Sequence, residues 1–276
     1  MSLSRIKGKI TRIFIKLSAI TEKNIHMNFR FKYTTIVGYL NVLVSVLMPV
    51  IIFGQFFSIR GDIGPWNAQN YMVFILVGYT ILLLRRMIKE VPRQLMYEKF
   101  FKTLPALIIA PFNRFYLLFG YFISELVMIL PPVICVIIVT YILYPISIFT
   151  LIFAILLFFG IAMTFAGIGF MIGVFAISNE SILAIFGFFI NLIIWASCVT
   201  YPYELFPSQV QFFIDFNPIF HMIHFLRLIW IENNIILTIV IHPLETVILL
   251  GSLIIFPTLG VINFNYIYKK LGATGY

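Results

Sequence analysis

The sequence predicts an all-α polytopic membrane protein with six transmembrane helices, an N-terminal interfacial helix, a short cytoplasmic helix and paired re-entrant external helices. Three observations carry this. Hydrophobic residues make up 62% of the 276 and charged residues 11%, against roughly 45–50% and about 25% in soluble domains. The apolar runs are continuous, which excludes the alternating strands of an outer-membrane barrel. Lys and Arg cluster on alternate sides of those runs, as the positive-inside rule requires. So few charges also exclude a disordered chain. Two cysteines, Cys135 and Cys198, both inside apolar runs, do not make a disulfide scaffold.

The elements follow in order. Residues 1–32 read as an amphipathic cytoplasmic segment. At about 100° per residue Ile6, Ile10, Ile13, Phe14, Leu17 and Ile20 share one arc, flanked by Arg5, Lys9, Arg12 and Lys16, which suits a helix lying in the membrane interface. Charges recur up to Lys32, so no cleavable signal peptide is expected. Residues 33–264 read as one membrane domain with spans at 33–57, 71–88, 115–143, 146–177, 182–200 and 243–264, each about the length a bilayer needs or longer. Pro131-Pro132 is expected to break the third. Gly169 and Gly173 mark the fourth as a small-xxx-small face for close helix approach, within one subunit or between two. Residues 265–276 read as a cytoplasmic tail.

Eight Lys and Arg precede span one, seven lie between spans two and three, and two lie in the tail, while Arg60 and Arg227 are assigned to the other side. Both termini are therefore expected in the cytoplasm. The net charge of +9 reads as a device for orientation and for contact with membrane lipid, with no nucleic acid as partner.

Two segments between spans carry more information. Residues 85–114 place a short apolar core, 104–110, between cations. Seven apolar residues cannot cross a bilayer; they suit a helix along the cytoplasmic face, ended by Pro111 and Asn113, that offers a protein partner an apolar surface. Residues 201–234 are too polar to cross, so they leave and return on the external side as two half-sunk helices. Pro207 starts the first, and Asn217-Pro218 breaks between them.

Within span three Glu125 is a costly intramembrane charge. It reads either as part of a substrate path or as an interhelical hydrogen-bonding group. Trp66, Trp195 and Trp230 read as interfacial belt residues. His26, His221, His224 and His242 do not compose a metal set, and no catalytic constellation appears.

The strip EKFFKTLPALIIAPFNR, 98–114, resembles the segment between spans two and three of ABC-2 type transporter permeases, through Glu98, Thr103, Leu104, Ala110, Pro111 and Arg114. Lys102 stands where that family usually has Gly, and Pro105 where it has Glu; both are expected to alter the local backbone. The external stretch is similar too: Tyr201-Pro202, Pro207, Asn217-Pro218 and Arg227 follow the family's pattern. The resemblance implies a permease subunit of an ATP-driven exporter that moves a drug, lipid or lipid-linked glycan, with 98–110 as its coupling helix. It implies a homodimer or close heterodimer of permeases in the cell membrane. The chain carries no G-x-x-x-x-G-K-[ST] loop, so ATP and Mg are expected on a partner ATPase subunit and none in this chain. A membrane-embedded lipid-modifying enzyme is the alternative. Its clustered acids are missing, for the ten acids here are scattered.

Overall fold

A computed structural model describes residues 15, 17–27, 30, 32–103 and 114–272. The described chain is helical, with no sheet among the described residues. A first helix, α1, covers 17–27. Then come α2 (Lys32–Arg60), α3 (Tyr71–Phe100), α4 (Arg114–Leu143), α5 (Ile148–Ser178) and α6 (Ile182–Trp195). After a 3-10 turn at Tyr203–Leu205 follow α7 (Ser208–Asp215), α8 (Pro218–Glu232), α9 (Ile235–Ile241) and α10 (Pro243–Gly272). Five of these, α2, α3, α4, α5 and α10, are long and apolar enough to cross a membrane, and the bent pair α7–α8 would raise the number to six. The chain is a multi-pass all-α membrane protein, as its hydropathy predicts.

The packing centres on α3 and α5. Helix α3 is the most buried of the long apolar helices and α2 the least. α5 lies against α3 on one face and α10 on another. Its glycines explain both contacts. A Cβ on Gly169 would sit 2.8 Å from the Met87 carbonyl oxygen, and one on Gly173 would sit 2.9 Å from Pro92 Cα. On the other face, a Cβ on Gly167 would meet Pro257 backbone at 2.7 Å. The Gly169–Gly173 pair therefore serves a contact inside one subunit, between α5 and α3.

Three expectations change. First, α4 runs unbroken through Pro131 and Pro132. Pro132 has no N–H to give the carbonyl of Met128, four residues back, and the Tyr39 hydroxyl of α2 donates to that carbonyl instead. The same arrangement recurs in reverse. Pro49 inside α2 frees the Ser45 carbonyl, which accepts the Tyr79 hydroxyl of α3 at 2.9 Å. In a bilayer such carbonyls must find a protein donor, and a tyrosine on the neighbouring helix supplies each.

Second, the helix expected over 182–200 ends at Trp195. Its 14 residues extend about 21 Å at 1.5 Å per residue, and residues 196–200 turn away, with Cys198 at φ 52°. Third, the tryptophans divide. Trp195 is exposed, but Trp66 and Trp230 are buried. Trp66 packs edge-on against Phe74 at 4.8 Å, and Trp230 Nε1 donates to the Tyr144 carbonyl at 3.2 Å. The short helix α9, capped by the Asn234 side chain, is an element that hydropathy did not separate from its neighbours.

Candidate functional site

Three polar constructions stand out, and sequence-predicted residues belong to each. The first closes the end of α3 that the charge pattern assigns to the cytoplasm. The Lys102 N–H donates to the Lys99 carbonyl and the Thr103 N–H to the Glu98 carbonyl, both at 3.0 Å. This is the paired closure that ends a helix through a left-handed residue, and Lys102 takes that conformation, φ 57°. Glycine adopts it at least cost, which gives the family's usual Gly a physical reason. Lys102 holds that left-handed angle without glycine's freedom.

The turn is locked by side chains. Glu98, buried at 4% exposure, accepts the Thr103 hydroxyl on its carboxylate and the Lys23 ammonium of α1 on its other oxygen. Lys99 donates to the Ile177 carbonyl at 3.0 Å and reaches Glu180 at 3.4 Å, beyond the end of α5. On α1, Ile20 fills the space over Gly120 of α4, where a Cβ would stand 2.6 Å from its Cγ2. Arg114, the first residue of α4, lays its guanidinium 5.8 Å from the ring centroid of Phe264 on α10. Both described ends of the strip are thus fastened to other helices. Leu104, Ala110 and Pro111 lie outside the described residues, as do Ile6, Ile10, Ile13 and Phe14.

The second construction surrounds Glu125, which is fully buried. Its carboxylate accepts Arg86 Nε at 3.1 Å and Gln94 Nε2 at 2.6 Å, both from α3. A buried carboxylate needs such a partner, and the contact is the interhelical one. Arg86 and Gln94 were not singled out from sequence. Their spacing of two helical turns, facing an acid on the next span, is the signal that was there.

The third construction lies at the opposite end of α3. Arg227 is 1% exposed, so it is no surface charge. Nε donates to the Phe74 carbonyl at 2.9 Å, Nη1 to Cys198 at 2.8 Å and Nη2 to Val199 at 2.6 Å. The guanidinium also covers the Phe74 ring at 3.6 Å. Gly78 makes room for it, since a Cβ there would fall 2.3 Å from Nη2. Asn217 acts beside it: Oδ1 accepts the Ile219 N–H at 3.0 Å and caps α8 behind Pro218. Its Nδ2 donates to the Ile193 carbonyl at 2.8 Å and to Ser197 Oγ at 2.9 Å. Arg227 and Asn217 therefore satisfy carbonyls at and just beyond the end of α6. Pro207 precedes α7 as expected, and α7 meets α8 at 92°. Here the Tyr203 hydroxyl is raised to about 12, by burial first and then by the Asp215 carboxylate beside it.

Among the described residues no three His, Cys, Asp or Glu side chains could hold a metal ion together. His221 Nε2 lies 2.9 Å from the Asp215 carbonyl, and His224 stacks on Phe220.

The model of the ABC-2 type transporter family matches residues 16–231. The chain belongs to the ABC-2 type transporter family. No curated protein matches it. The matched region of this ABC-2 permease runs from α1 through α8 and contains the three constructions apart from Phe264 of α10, against which Arg114 lies. It stops before α9 and α10. A permease of this family is a membrane component of an ABC transporter and works with an ABC ATPase subunit.

Proposed function

We propose that this ABC-2 permease is the membrane-spanning half of an exporter, moved by ATP hydrolysis on a separate subunit that grips the strip 98–114 from the cytoplasm. ATP and Mg then belong to that subunit. Two permeases, identical or closely related, would complete the path in the cell membrane, with both termini cytoplasmic. The observation that carries the reading is the lock at the end of α3. The strip's first turn is bound to α1 through Lys23 and to the end of α5 through Lys99. A push on the strip therefore shifts three helices as one body instead of being lost in a loose loop. Because α3 lies at the centre of the packing, that shift reaches the Glu125 and Arg227 constructions on the same helix.

The test is co-expression with the ATPase subunit and measurement of its hydrolysis. Thr103→Arg and Leu104→Asp should preserve membrane insertion and abolish permease-dependent stimulation of ATP hydrolysis. Unchanged stimulation by both variants would remove the strip from the coupling path.

A further inference from the structure

Apart from the three constructions, a fourth polar contact closes over α9. His242 Nε2 and Glu232 Oε1 stand 3.1 Å apart, and both side chains are largely covered. Glu232 ends α8, and His242 lies between α9 and α10. The contact therefore joins the two ends of the segment that holds α9. That helix is held lightly elsewhere. Thr238 is its buried residue, while Ile236 and Val240 are 76% and 70% exposed. Its ends are closed by local bonds: Asn234 Oδ1 accepts the Leu237 N–H at 3.1 Å, and the His242 N–H donates to the Thr238 carbonyl at 2.9 Å.

Glu232 is only half answered. Its Oε2 is buried and has no hydrogen-bond partner among the described residues, which is costly for a carboxylate. A neutral imidazole gives the group one ordinary N–H bond. A protonated one adds a full charge, and charge-assisted bonds are roughly twice as strong. Imidazole is the side chain that changes charge between about pH 5 and 8.

The neighbours of His242 set the direction. From α8, the His224 ring stands 6.5 Å away, centroid to centroid, with His221 and Arg227 around it; positive charge there opposes a charge on His242. Glu245 in the first turn of α10 favours it. Helix α9 carries no titratable residue. Helix α3 and the link after α4 bring the phenols of Tyr71 and Tyr144. Coulomb energy falls with distance, so the carboxylate in direct contact outweighs the like charges farther off.

We propose that Glu232 and His242 form a proton-operated clasp over α9. A histidine that meets a carboxylate in the closed form holds its proton more tightly there than in the open form. The clasp is therefore firmest at acid pH and loosens as pH rises through the imidazole's range. Closed, it ties α8, with its Arg227 construction, to the head of α10. Open, it frees α9 to move against both. The charge pattern assigns this end of α10 to the exterior, so the proton it senses is external.

The test is electron paramagnetic resonance on the full chain in neutral detergent. A nitroxide is placed on α9 through Val240→Cys, and Cys135→Ser removes the exposed native thiol. From about pH 5 to about pH 8 the label should become more mobile. His242→Gln keeps an N–H for Glu232 but cannot titrate, so it should lose the pH response. Glu232→Gln removes the carboxylate and should lose it as well. The two substitutions reach one contact from different elements, so a folding defect in either leaves the other to decide. A flat response in the parent chain, a response that survives either substitution, or a response lost on His224→Gln but kept on His242→Gln would each overturn the proposal. The readout needs no ATPase, so this inference and the transport reading can fail separately.

Discussion

Removing the Tyr39 hydroxyl should destabilise the protein only because Pro132 is where it is. The Met128 carbonyl accepts that hydroxyl, and Pro132 has no N–H to offer it. In Tyr39→Phe the carbonyl stays buried against Pro132 and Ile129, both largely covered. A buried acceptor left unsatisfied costs about 1–3 kcal/mol. Pro132→Ala restores an N–H at the helical position that reaches Met128. In that background Tyr39→Phe should cost no more than about 0.5 kcal/mol, the range of a substitution that breaks nothing buried. The packing loss from the missing proline ring appears in both legs of the cycle and cancels, so the difference isolates the carbonyl. Reversible unfolding in mixed micelles, followed by circular dichroism, measures all four proteins. An equal cost of Tyr39→Phe in both backgrounds would show that the hydroxyl does not stand in for the absent N–H. The account of how α4 passes its proline pair unbroken would then fail.

Other outcomes follow from the same geometry. Gly78→Ala should displace the Arg227 guanidinium and strand a buried charge, at a cost of more than about 3 kcal/mol, read as loss of folded protein in detergent; a stable Gly78→Ala protein would contradict the packing around Arg227. Lys102→Gly should raise the unfolding free energy by about 0.5–1 kcal/mol, since a left-handed lysine costs about 1–2 kcal/mol and glycine gives part of that back in chain entropy; the melting temperature checks the sign. Glu125→Gln should leave Arg86 without its carboxylate and lower stability, while Glu125→Gln with Arg86→Gln should recover part of the loss, and a double variant worse than the sum would show that the pair is not the controlling contact.

Much of the candidate site was legible as a list of residues and little of it as an arrangement. Glu98, Thr103, Asn217 and Arg227 were all singled out from local patterns, and each lies in a built contact. The partners that give them meaning were not visible. Lys23 reaches Glu98 across 75 positions of sequence, and Arg227 reaches Phe74 across 153. A pattern read within a window of a few turns cannot supply such pairs. The Pro131-Pro132 expectation failed for the same reason. The sequence shows the proline, but the donor that repairs the helix stands on another span.

The apolar runs and the distribution of Lys and Arg determined by themselves that the chain is a helical membrane protein and roughly where its long helices lie. Transfer of a segment into lipid depends on that segment's own composition, so each span is a local property. The tertiary structure alone decided that Arg227 is buried, that Trp66 belongs to the core and that the glycines of α5 serve its own subunit. Those outcomes depend on which carbonyl, ring or backbone stands opposite, and only the packing of distant segments brings these together.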